Sequence, residues 1–226
     1  MKLNLKSAAL VLALAPGFAF AASSNWKIDS AHSSADFSVK HLVISDVTGN
    51  FGKVEGTVML DEKNLAKSSI DATIDASTID TREPKRDAHL KSPDFFDVAK
   101  YPTMTFKSTK VAKAGKDKFK VTGDLTLHGV TKPVVLDVTS ASQTIKDPYG
   151  NTKRGAKATT VVNRRDFGLK WDNRMQDGNA VVGDEVTVTL NLELAQVASE
   201  AAAAQPATGT TAETKPAATP APAPAK

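Results

Sequence analysis

The sequence predicts an all-β domain: an antiparallel, up-and-down barrel of about eight strands with room for one ligand. Three observations lead there. Segments of eight to eleven residues alternate apolar and polar side chains, the period of a strand with one buried face. Most are joined by short turns rich in Gly, Pro and Asp, as in hairpins. Several carry small residues at inward positions (Ala72, Ala76, Ser108, Val121, Ala141, Ala158), which would leave an interior space that a solid core avoids.

Trp26-Lys27-Ile28-Asp29 opens the domain. Residues 34–42 place Phe37, Val39 and His41 on one face and Ser38, Lys40 and Leu42 on the other. Residues 51–60 form a second strand in which Gly52 and Gly56 suit a bulge or bend. After a turn at 61–64, residues 69–77 set Ile70, Ala72, Ile74 and Ala76 against Asp71, Thr73 and Asp75, one side dry and one wet.

Residues 80–102, DTREPKRDAHLKSPDFFDVAKYP, break the alternation. Asp80 with Glu83 has the form of a helix cap and its partner, and Pro84 suits a first turn. Ser92-Pro93-Asp94 repeats the signal, and Tyr101-Pro102 stops it, so two short helices are expected at 82–90 and 93–99. Phe95 and Phe96 are then expected to plug one end of the β core, and on a sharper reading also to line the entrance of a cavity. Sheet resumes at 103–111, turns at 114–117 and returns at 118–127, with later strands at 134–144, 155–163 and 185–194. A polar connection, 164–184, precedes the last of these.

Residues 1–21 read as a secretory signal peptide: Lys2 and Lys6, an apolar run over 8–15, then Ala19-Phe20-Ala21 as a cleavage site. That run is too short to span a bilayer. The expectation is a mature domain over 22–197, exported to a bacterial periplasm, with no membrane span. Residues 198–226 are Ala, Pro, Thr and Gly with no apolar face, the composition of a disordered tail.

The chain has no cysteine, which removes disulfides, thiol catalysis and zinc–thiolate sites from consideration. Without Lys2 and Lys6, 27 basic residues face 25 acidic ones, a mature charge of +2. So even a balance argues against a nucleic-acid partner. His32, His41, His89 and His128 form no short-spaced metal pair, and no nucleophile elbow or phosphate loop occurs. Nothing in the spacing supports an enzyme. Two clusters remain: Arg82, Lys85, Arg86, His89 and Lys91, and Arg164, Arg165, Lys170 and Arg174. At a common barrel mouth they would offer donors to an anionic head group.

Four separated runs, FSVKHLVISDVTGNFGKVEGTV, RDAHLKSPDFFDVAKYPTMTFKS, GDLTLHGVTKPVVLDV and NRRDFGL with VVGDEVTVTLNLEL, resemble the YceI-like family of secreted bacterial proteins over about 26–194. The resemblance implies a lipocalin-like barrel of eight antiparallel strands with a helical insertion between the third and fourth. It also implies binding of a polyisoprenoid or similar long-chain amphiphile, with transport or a stress response as the setting, no cofactor, no metal and no enzymatic activity. A homodimer is compatible with it. On this reading Phe37, Val39, Phe95, Phe96 and Phe106 face the tail, and Arg86, His89 and Arg165 the head. His41 and His89 are the two histidines placed near a ligand; a rival reading uses them as acid and base of an enzyme acting on an isoprenoid, and another makes the domain an interaction module that works through its tail.

Overall fold

A computed structural model describes residues 23–141 and 143–197; the expected signal peptide and tail lie outside them. Among the described residues the strands are β1 (Ser24–Ile28), β2 (Ser34–His41), β3 (Ser45–Phe51), β4 (Val54–Leu60), β5 (Ser69–Asp75), β6 (Ile79–Asp80), β7 (Thr103–Gly115), β8 (Lys118–Leu127), β9 (Val130–Ser140), β10 (Ile145–Lys146), β11 (Thr152–Asn163) and β12 (Val182–Val197). One α-helix, α1 (Pro84–Lys91), stands between β6 and β7.

These strands make eight staves. β1 and β2 lie one after the other along the same edge of β12, and β4 and β3 lie beside them in turn. β5 and β6 continue the pattern. The first three staves in the chain are each broken into two strands, where a side chain competes for backbone N–H groups or a glycine intervenes. Asp29 accepts from Ala31 N–H (3.2 Å) between β1 and β2, Gly52 separates β3 from β4, and Asp75 accepts from Ser77 N–H (2.9 Å) after β5. Around the ring the order is β12, β1/β2, β4/β3, β5/β6, β7, β8, β9, β11, and the β11–β12 ladder closes it. The expected eight-stranded antiparallel barrel is the fold.

Two details differ from the sequence reading. The sequence reading gave residues 45–50 no element and began its second strand at Phe51; instead Phe51 ends β3, which pairs with β2 along its whole length, and the next strand starts at Val54. The insertion holds one helix, not two. Glu83 caps α1 by accepting Lys85 N–H at 3.1 Å, while Asp80 takes Arg82 N–H at 2.7 Å. Residues 92–101 follow as successive turns, with Phe95 N–H to Ser92 O (3.1 Å) and Tyr101 N–H to Asp97 O (2.8 Å).

The up-and-down course puts 42–44, 76–102, 128–129 and 164–181 at one end of the barrel and 61–68, 116–117 and 143–151 at the other. The first end is plugged. Phe51, Ile79, Phe95, Phe167 and Leu169 are buried there in one cluster. One boundary of the wall is short: β9 and β11 pair only over Asp137–Ser140 and Ala156–Thr159, so residues 130–136 and 160–163 have no partner across it. Pro133, which has no N–H to give, falls in that stretch.

Candidate ligand-binding cavity

The interior holds a cavity of about 450 Å³, in the range of small-molecule sites. Alternate residues of every stave line it: Ile28 from β1, Val58 from β4, Ala72 from β5, Phe106 from β7, Val121 from β8, Leu136 from β9, Ala158 from β11 and Leu190 from β12 are examples. Its hollowness has a cause in side-chain length. Ala72, Ala156 and Ala158 end at Cβ, and Phe106 is laid flat over Gly123, where a Cβ would collide with the ring.

Six polar residues of the lining, Glu62, Ser68, Lys113, Asp117, Ser140 and Arg154, belong to the end away from the plug. That end is the mouth. Arg154 donates from Nε to Ala141 O (2.9 Å) and from Nη1 to Glu62 Oε1 (3.0 Å). Its side chain is 12% exposed, whereas that of Glu62 is 69% exposed. The alternation of β7 and β11 carries Val111 to Lys113 and Ala156 back to Arg154, which is the signal by which both could have been found.

Of the nine residues picked from sequence, Phe106 lines the cavity. The other eight gather toward the plugged end. Phe37 stacks at a tilt on Phe51 (5.7 Å between ring centres), and Phe96 meets Phe51 edge-on at 5.5 Å. Phe95 lies 5.3 Å from Trp171 and 5.0 Å from the His89 ring, whose Nε2 is 2.9 Å from Asp94 Oδ2. Val39 and His41 are half-buried along β2, paired with Val47 and Ser45.

Arg86 is spent on one residue: it donates to the Thr81 hydroxyl Oγ1 and to Thr81 O, both at 2.8 Å. Arg165 reaches Asp184 (2.6 Å) and Asp172 (3.1 Å), and the Asp184 hydrogen bond strengthens its hold on its proton. Its neighbour Arg164, which the sequence reading placed in the same cluster as a donor for a head group, is buried. It donates to the carbonyls of Gly183 (2.9 Å), Leu169 (2.9 Å) and Trp171 (2.8 Å), and desolvation weakens its hold on its proton. Thus the two irregular segments do share one end, but Arg86, Arg164 and Arg165 are engaged within the plug.

Asp29, His32 and Glu193 stand close enough together to suggest a cation site. Lys153 already fills that role: its Nζ is 2.6 Å from Asp29 Oδ2 and 2.9 Å from Glu193 Oε1. The Lys153 hydrogen bond, then that of His32, hold the Asp29 carboxyl at about 2. The same two carboxylates raise the Lys153 ammonium above its ordinary value.

The YceI-like domain model matches residues 26–194, from the first stave to the last. The chain belongs to the YceI-like family. A YceI protein of Escherichia coli O157:H7 is 42% identical over 154 residues, covering 67% of this chain and 80% of its own. A UPF0312 protein of Vibrio parahaemolyticus is 39% identical over 171 residues, covering 75% and 89%. Among solved structures, BcnA of Burkholderia cenocepacia superposes with a TM-score of 0.64 at 27% identity, over 74% of this chain and 98% of BcnA. A polyisoprenoid binding domain from Saccharophagus degradans, implicated in plant cell wall breakdown, has a TM-score of 0.56 at 18% identity over 76% and 98%, a likeness of fold. The YceI-like barrel here shares that architecture, with its helical insertion between the third and fourth staves.

Proposed function

We propose that this protein is a periplasmic carrier that holds a polyisoprenoid or another long-chain amphiphile inside the barrel, tail toward the plug and head at the mouth. The observation that carries this reading is the largely apolar cavity, walled by eight staves, with its charged lining residues at one end. The binding named for the Saccharophagus domain of the same fold supports it, and the export signal read in residues 1–21 supports the compartment. Ten methylenes moved from water into such a space gain roughly 8 kcal/mol, at about 0.8 kcal/mol each. Part of that is lost to immobilising the ligand, so a long tail is needed for tight binding.

Mass spectrometry of the intact protein, purified from its source without detergent, tests the proposal. The expected result is a mass increment that extracts into organic solvent as one chemical class. Repeated isolation of lipid-free protein that also takes up no polyprenyl compound would overturn it.

A further inference from the structure

The open end of the barrel carries the charged part of the cavity lining, with Lys113 and Arg154 beside Glu62 and Asp117. Within the mouth, Lys113 lines the cavity and makes no ion pair among the described residues. Arg154 lines it too, with its only ion pair among those residues going to Glu62, a carboxylate left largely in water.

A cation at the lip of an apolar cavity is costly to leave unpartnered once a tail excludes water. Glu62 holds Arg154 while the cavity is empty. From these relations we infer that the mouth selects amphiphiles with an anionic head, a phosphate or a carboxylate, which takes the place of Glu62 on Arg154 and adds Lys113 as a second partner. Arg154, with Nε already fixed on Ala141 O, presents a preset donor; Lys113 follows as a mobile point charge. The inference rests on the carrier reading and narrows it to a ligand class.

Matched probes separate the two. The full chain, stripped of lipid, is titrated with farnesol and farnesyl phosphate, and in a second arm with hexadecanol and palmitate; Trp26, which lines the cavity, reports binding by its fluorescence. At low salt the anionic member of at least one pair is expected to bind tenfold or more tightly than its alcohol, and the pair that shows this identifies the head group. The preference should shrink as salt rises. The double variant K113Q/R154Q, with its fold checked by circular dichroism, should bring the ratio toward one, while K85Q on α1 should keep it. Glu62→Gln should tighten the anionic probe severalfold by removing the occupant. Equal affinities in the unaltered protein, or a preference that survives K113Q/R154Q, would overturn the head-group site while the alcohols still report a working cavity. Failure of all four probes to bind would remove the carrier reading itself.

Discussion

The Trp171 indole lies 5.3 Å from the Phe95 ring, and this contact joins two segments that share no strand pairing. One segment follows α1, the other follows β11, and between them they shut one end of the barrel. His89 completes the group, edge-on to both rings at 5.0 and 5.7 Å. Closure of that end is thus a matter of aromatic packing and of Arg164 drawing in the carbonyls of Leu169 and Trp171.

Phe95→Ala should destabilise the fold by about 3–5 kcal/mol, the range for a buried aromatic truncated to leave a hole. Trp171→Ala, at a half-buried position, should cost less. The two together should show a coupling of about 0.5–1.5 kcal/mol in urea unfolding, as contacting rings do. Strict additivity would mean that the rings do not support each other.

Ala158→Phe should fill the cavity from the β11 side while leaving the barrel closed. Ala158 is 2% exposed and faces the open interior, so the added ring has space to enter instead of a packed neighbour to displace. Uptake of a long-chain alcohol should fall at least tenfold with little change in the urea midpoint. Undiminished uptake would place the ligand elsewhere.

Affinity should climb with tail length and then stop. About 0.8 kcal/mol per methylene is close to a tenfold gain for every two methylenes, until the cavity of about 450 Å³ is full. A series of n-alkanols titrated into the lipid-free protein gives the slope and the break. A flat series would show that the tail is not what is held.

Acid should weaken the fold through Asp29. Its carboxyl sits at about 2 in the folded state against an ordinary 3.8, because Lys153 and then His32 hydrogen-bond to its charged form. A lowered folded value contributes stability above the unfolded value, and this is lost as pH falls through the folded one. The urea midpoint should therefore drop between about pH 4 and pH 2, and Asp29→Asn should flatten that part of the profile. Lys153 acts at the other extreme: its raised value gives stability that is complete below 10.5 and lost only in stronger alkali.

The barrel and its insertion were legible because the alternation of β5, β7, β8 and β12 is clean and because Pro84 and Glu83 mark a helix start. β3 was not, since its pairing with β2 is a tertiary fact that SDVTGNF does not announce. The site was legible only in its wall. Phe37, Phe95 and Phe96 are apolar enough to face a ligand, but their rings meet Phe51 and Trp171, and partner choice is not written in periodicity. Lys113 and Arg154 escaped for the opposite reason. A charged residue in an alternating strand is ordinarily read as facing water, and these two do so only where the staves run out at the mouth.

The short pairing between β9 and β11 gives the wall an elastic line. Parting the staves along 130–136 and 160–163 separates no paired residues, whereas spreading the β11–β12 ladder would break one that runs from Lys153 to Asn163. The wall of the barrel can therefore give along this line without unpairing its staves. Val135 and Val161, exposed on either side of the line, are where that give would first be felt. Amide protons pointing across it should be among the quickest in the wall to exchange with deuterium, and a bound chain should alter their rate more than that of any β11–β12 amide.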